Sequence, residues 1–132
     1  MEPDRPDDFD WVTARAQCSA YVKFRQLEAQ ARANAAQRNA SLTEPERQRV
    51  SFHVERTADR SFAVVADNLD RFVTFTLDGA HLVVDGDGIA LHLEATLTLT
   101  DTGACRWLVQ GEILQAWQLL RRALESLFFD LR

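Results

Sequence analysis

The feature that most constrains the fold is a twelve-residue stretch, residues 89–100, in which apolar and polar side chains alternate without a break. Successive residues of a β-strand point to opposite faces, so a period of two is typical of a strand with one buried face. The stretch therefore predicts one long strand. Its inward side chains would be Ile89, Leu91, Leu93, Ala95, Leu97 and Leu99.

Five shorter segments near residues 50–55, 61–66, 71–77, 80–84 and 105–107 show the same alternation and predict further strands. Short turn sequences connect them, among them Asp78-Gly79, which is typical of a type I′ hairpin, and Gly86-Asp87. We therefore expect a six-stranded antiparallel meander. The predicted cross-strand pairs include Val54–Phe62, Phe75–Leu82, Val84–Ile89, His81–His92 and Leu97–Trp107.

Two amphipathic helices flank the predicted strands. Residues 11–40 contain no Pro or Gly, follow a possible N-cap at Asp8 or Asp10, and carry an apolar stripe whose second half, residues 29–40, offers only alanine. The last helix begins at Gly111, and its stripe predicts packing on the apolar face of the sheet. The stripe comprises Ile113, Trp117, Leu120, Leu124, Leu127 and Leu131, is widened by Ala116, Ala123 and Phe128, and leaves Phe129 free to contact a second subunit.

These elements predict an α+β fold with a long N-terminal helix, a curved six-stranded antiparallel meander and a C-terminal helix packed on the apolar sheet face. A chain of 132 residues is expected to form one domain. Residues 1–10 are acidic and lack a periodic apolar pattern, so we expect a disordered lead-in followed by a single domain over residues 11–132.

The sequence predicts a cytoplasmic protein that does not enter a membrane. The first ten residues have no apolar segment of the kind found in signal peptides, and no apolar run approaches eighteen residues. Cys18 and Cys105 are far apart and match no metal-binding spacing, so we expect buried free thiols. A disulfide between them would require the first helix and a late strand to meet.

The charge distribution favours protein contacts over nucleic-acid binding. The net charge is −5, but residues 11–40 carry five basic side chains and one acidic one, whereas residues 57–110 carry eight acidic and three basic ones. An acidic sheet beside a basic helix is typical of internal or subunit complementarity. We expect the basic side chains of the helix to form a solvated face, and an anion-binding surface is the alternative.

Three side chains are candidates for metal ligation. The sequence lacks a Gly-rich phosphate loop and the motifs G-x-S-x-G, H-E-x-x-H and C-x-x-C. In the predicted register His81 and His92 face each other on the polar side of the sheet, and Glu94 is their diagonal neighbour. Two imidazoles and a carboxylate can ligate zinc. The alternative is a pair of surface histidines on a polar sheet face.

Two functions from different classes follow from this sequence. The first is a non-enzymatic protein-interaction or binding module, without a cofactor, that forms a homodimer with helix 11–40 in the interface. An alanine-rich helix end buries little apolar area alone, and a symmetric pairing would order both ends. The second is a small-molecule-binding protein or metal-assisted hydrolase that uses a cavity between sheet and helix with His81, His92 and Glu94.

Overall fold

A computed structural model describes residues 6–131 of the chain. Its helices are α1 (Trp11–Gln17), α2 (Ala20–Ser41), α3 (Glu44–Arg47) and α4 (Ala116–Phe129). Its strands are β1 (Ser51–Ala58), β2 (Ser61–Asp67), β3 (Arg71–Asp78), β4 (His81–Asp87), β5 (His92–Leu99), β6 (Cys105–Val109) and β7 (Glu112–Leu114). The strands form one antiparallel sheet in chain order, and α2 and α4 pack on the sheet. The predicted α+β architecture is confirmed, with seven strands instead of six.

The predicted N-terminal helix is divided at residues 18–19. Asp10 caps α1 as expected, since its carboxylate accepts hydrogen bonds from the Thr13 backbone N–H at 3.0 Å and the Thr13 hydroxyl at 2.6 Å. Cys18 then leaves the helical conformation, and Ser19 caps α2 by accepting from the Val22 N–H at 3.4 Å. A polar cap inside an uninterrupted apolar pattern thus starts a second helix. Residues 1–5 of the predicted disordered lead-in lie outside the described residues.

The core lies between the sheet and the two long helices. Val73, Phe75 and Leu77 point inward from β3, as predicted, and are at most 3 % exposed. Phe62 of β2 stacks on Phe75 with ring centroids 4.6 Å apart, and Phe24 of α2 lies 5.2 Å from Phe62. The alternation of apolar residues thus assigns the faces of these strands correctly.

The registers of three hairpins differ from those predicted, and each differs by an even number of residues. Val64 faces Val54, Leu82 faces Leu77, and Leu93 faces Val84. An even shift keeps every side chain on its face, so the apolar pattern fits both registers equally. The predicted pair Leu97–Trp107 is confirmed.

Turn chemistry explains two of these shifts. At the β3–β4 turn Asp78 pairs with His81, so Gly79 and Ala80 are the central residues. Gly79 has φ +61 whereas Ala80 has no positive φ, which matches a type II′ turn with glycine first. At the β4–β5 turn the Gly86 N–H donates to the Leu91 carbonyl at 2.9 Å, so residues 87–90 form a four-residue loop. The predicted strand 89–100 therefore begins at residue 92.

The seventh strand comes from a hairpin that the sequence analysis missed. Gln110 and Gly111 have φ of +50 and +81, the two positive values of a type I′ turn. Val109 then pairs with Glu112, and Gly111 does not begin a helix. α4 starts five residues later, at Ala116. Asn and Asp are the usual partners of glycine in such turns, so Gln-Gly gave no signal.

Two tryptophans predicted in the core are exposed. Trp11 is 63 % exposed on α1 and Trp117 is 57 % exposed on α4, whereas Trp107 is buried. The buried stripe of α4 differs from the predicted one mainly in including Leu119 and excluding Trp117. It consists of Leu119, Leu120, Ala123, Leu124, Leu127 and Phe128. Phe129 lies off this stripe, as expected, and is 66 % exposed.

The alanine-rich end of α2 packs within its own subunit, contrary to the sequence-based argument for the dimer. Ala31 and Ala35 are at most 3 % exposed, because their small side chains let the helix approach closely. The Asn39 amide accepts from the Phe52 N–H and donates to the Phe52 carbonyl, both at 2.8 Å. This end of α2 is therefore held against the edge strand β1 without a second subunit.

A buried carboxylate links α2 to β1. Glu28 is 3 % exposed and accepts hydrogen bonds from Arg32 at 2.9 Å and Arg56 at 3.1 Å. Burial raises the pKa of Glu28, but the hydrogen bonds from Arg32 and Arg56 outweigh burial and hold the pKa below its ordinary value. Arg32, which was predicted on a solvated face, therefore makes a structural contact, and Arg38 of the same predicted face is buried.

The prediction of free thiols is wrong, because Cys18 and Cys105 form a disulfide with Cα atoms 5.5 Å apart. The α1–α2 break and the start of β6 meet, although they are 87 residues apart in the chain. Within residues 6–131 no helix is both long and apolar enough to cross a bilayer.

Candidate functional site

The three predicted metal ligands lie together on the outer face of the sheet, although not in the predicted arrangement. His81 is opposite Thr96 and His92 is opposite Asp85, so the two histidines do not face each other. Glu94 lies between them, and its Oε1 accepts from His81 Nε2 at 2.9 Å. Its Oε2 is 3.4 Å from His92 Nε2. One carboxylate thus joins both imidazoles.

Carboxylates around His92 favour its charged form. His92 Nδ1 donates to Asp85 at 2.6 Å, and this hydrogen bond, followed by the one to Glu94, raises the pKa of His92. The hydrogen bonds from His81 and then His92 lower the pKa of Glu94. The third histidine, His53, is separate from this cluster. It contacts Glu55 and Asp67, each at 2.7 Å, and these carboxylates raise its pKa in the same way.

The cluster of His81, His92 and Glu94 is exposed. The side chains retain 44 %, 57 % and 56 % of their accessible surface, and no wall of the protein encloses them. Over residues 6–131, no group of three or more His, Cys, Asp or Glu side chains has an arrangement suited to hold a metal ion. Metal binding by these three residues stays a prediction.

A second candidate site is a groove of about 420 Å³ between α2 and α4. We call it the α2–α4 groove. Its floor is apolar and consists of Leu120, Leu124 and Phe128, each at most 6 % exposed. Polar side chains of α2 form one wall, namely Asn34, Gln37, Arg38 and Ser41. The outer side chains of α4 form the other wall, namely Trp117, Arg121, Glu125 and Phe129.

Arg38 fixes the end of the groove near Phe129. Its Nε donates to the Phe128 carbonyl at 2.8 Å, which satisfies one of the free carbonyl groups at the end of α4. Its Nη1 donates to the Ser41 hydroxyl at 3.0 Å, and its guanidinium carbon lies 4.4 Å from the centre of the Phe129 ring. Phe129 is therefore held by a cation–π contact, although it remains exposed.

Trp117 is oriented at the other end of the groove. The chain enters α4 through Gln115, whose backbone N–H donates to the Gln118 side-chain oxygen at 2.8 Å. The Gln115 side-chain oxygen also accepts from the Trp117 indole N–H at 3.0 Å. The indole is thus fixed by a polar contact while its apolar surface stays accessible to a partner.

Of the two aromatic side chains in this wall, one was expected at the surface from the sequence. Phe129 was predicted as a subunit contact because it lies off the apolar stripe of the last helix. Trp117 was assigned to the core because its spacing from Leu120 and Leu124 also fits a buried stripe. The spacing alone did not show that β7 separates Gly111 from α4, or that Leu119 is buried where Trp117 is exposed.

Comparison with known proteins gives no assignment for either site. No protein-family model matches the chain, no curated protein matches its sequence, and no solved structure matches its fold.

Proposed function

We propose that the protein is a non-enzymatic interaction module that forms a homodimer through the α2–α4 groove. The observation that carries the proposal is the pair of exposed aromatic side chains, Trp117 and Phe129, at the two ends of an apolar floor. Exposed apolar patches bounded by polar residues mark interaction sites, and Trp is enriched among the residues that dominate binding energy. α2 contributes the polar wall, so in this proposal α2 takes part in the interface through Asn34, Gln37, Arg38 and Ser41.

The experiment is light scattering of the full chain at micromolar concentration, compared with two tryptophan variants. We expect a mass of twice the 15.0 kDa monomer for the wild type and a shift toward monomer for Trp117→Ala. Trp11→Ala is the matched control, because Trp11 is similarly exposed but does not line the groove. A wild-type protein that stays monomeric, or a Trp11→Ala variant that dissociates as readily as Trp117→Ala, would overturn the proposal.

The alternative function is a metal-assisted hydrolase or small-molecule-binding protein that uses His81, His92 and Glu94. The observation that favours it is the contact of both imidazoles with the same carboxylate. Metal analysis of the purified protein tests it. Stoichiometric zinc that is lost in Glu94→Gln supports the alternative, whereas a metal-free protein that does not take up added zinc rules out the metal-assisted form.

The cellular compartment stays a prediction. The free thiols were expected because the predicted compartment, the cytoplasm, is reducing. The Cys18–Cys105 disulfide favours an oxidising compartment, since structural disulfides are rare in the cytosol. Cell fractionation of the tagged protein, with thiol alkylation before lysis, would determine both the compartment and the redox state of the two cysteines.

A further inference from the structure

The exposed wall of α4 follows a regular spacing. Trp117, Arg121, Glu125 and Phe129 are each four residues apart, so they form one i±4 ridge along the helix. The ridge spans about 18 Å at 1.5 Å per residue. All four side chains are more than half exposed, with Trp117 at 57 %, Phe129 at 66 %, Arg121 at 64 % and Glu125 at 58 %. The ridge is thus the part of α4 that a partner would meet first.

The order of side chains on this ridge is self-complementary when a second copy is antiparallel. Arg121 and Glu125 lie two residues on either side of Ala123, and Trp117 and Phe129 lie six residues on either side. A two-fold axis at the level of Ala123 therefore places each Arg121 opposite the partner's Glu125. It also places each Trp117 opposite the partner's Phe129, so that charges meet opposite charges and aromatic rings meet aromatic rings.

The charges also disfavour the parallel arrangement. A two-fold axis along α4 would place Arg121 against the partner's Arg121 and Glu125 against the partner's Glu125. Like charges that face each other in this way repel. A head-to-tail contact would leave one ridge uncovered and would lead to open assemblies. Of these arrangements, only the antiparallel pair joins opposite charges and closes at two subunits.

We infer that two copies of this chain associate through antiparallel α4 helices, with the i±4 ridge of each helix in the α2–α4 groove of the other. This inference rests on the proposed function and adds its geometry. Two i±4 ridges that pack together cross at about −50°. Trp117 of each copy then reaches the partner's Phe129 above the apolar floor. Two reciprocal ion pairs, Arg121 with Glu125, fix the register of the helices.

Charge reversal tests this geometry. Arg121→Glu gives a ridge with two acidic residues and Glu125→Arg gives one with two basic residues, so each variant repels its own copy. We expect each to dimerise about tenfold more weakly than the wild type, since two attractive contacts become repulsive. An equimolar mixture should form a heterodimer, because both contacts are then attractive. The doubly exchanged variant, Arg121→Glu/Glu125→Arg, should regain the homodimer.

The measurement is sedimentation velocity of the wild type, of each variant and of the mixture, with far-UV circular dichroism as a check of folding. A dimeric wild type, weakened single variants and a preferred heterodimer support the antiparallel geometry. A dimeric wild type whose single variants dimerise equally well, or whose mixture shows no preference, overturns this geometry and leaves the proposed function in place. A monomeric wild type overturns both.

Discussion

The Cys18–Cys105 disulfide is expected to supply a large part of the stability of this fold. It closes a loop of 87 residues that contains α2 and the first five strands. A cross-link of this span restricts the unfolded chain, and the chain-entropy relation gives about 4.6 kcal/mol at 25 °C. Residual structure in the unfolded state reduces such values, so we expect reduction to lower the free energy of unfolding by roughly 2–5 kcal/mol.

The assay is urea denaturation followed by far-UV circular dichroism, with and without dithiothreitol. Reduction should lower the denaturation midpoint. It should also increase the slope of the free energy of unfolding against urea concentration, because the reduced unfolded chain exposes more surface. The Cys18→Ala/Cys105→Ala variant is the control, and its stability should not respond to dithiothreitol. If the native protein has no titratable thiols and its reduction lowers the free energy of unfolding by less than about 1 kcal/mol, the entropy argument is refuted. Two titratable thiols in the non-reduced native protein would refute the disulfide.

Two further predictions concern a turn and a titrating side chain. Gly79→Val should lower the free energy of unfolding by about 1 kcal/mol or more, because a β-branched residue resists the positive φ of +61 at this position. No atom lies within 4 Å of the new Cβ, so the loss would come from the backbone conformation and not from a steric clash. An unchanged urea midpoint would contradict the assigned turn. Asp85→Asn should lower the pKa of His92, measured by NMR titration of the imidazole, while the pKa of His53 stays constant. Because folding raises the pKa of His92, its contribution to stability is fully present below pH 6.5 and is lost as the pH rises through the folded pKa. A pKa of His92 unaffected by Asp85→Asn would show that the 2.6 Å contact does not persist in solution.

The sequence predicted well which side chains of a strand face the core and which segments form helices or strands, because both properties depend on local repeats. Alternation over residues 71–77 places Val73, Phe75 and Leu77 inward, and they are buried. The capping residue Asp10 also acts locally, and it begins a helix as expected. A period of two does not change when a strand slides by two residues, so the same pattern did not determine the registers.

The candidate sites depended on information that the sequence carries less directly. His81, His92 and Glu94 are close together as predicted, because all three lie on the polar face of neighbouring strands. Their contacts differ, since the four-residue loop at residues 87–90 moves His92 opposite Asp85 and leaves Glu94 between the histidines. A shift of this kind is decided by the backbone conformation of the turn, which alternation does not report.

The order of amino acids was enough to predict that this chain forms a sheet with one apolar face, flanked by a helix at each end. These properties follow from side-chain periodicity and from capping, which act within a few residues. The contact of Cys18 with Cys105 and that of Arg38 with the end of α4 become visible only when the helices and the sheet are packed together. The same holds for Trp117, which faces outward on the same wall of the α2–α4 groove as Phe129, at its opposite end. Such contacts join residues that are distant in the chain, and their geometry is fixed only when helices and sheet pack together.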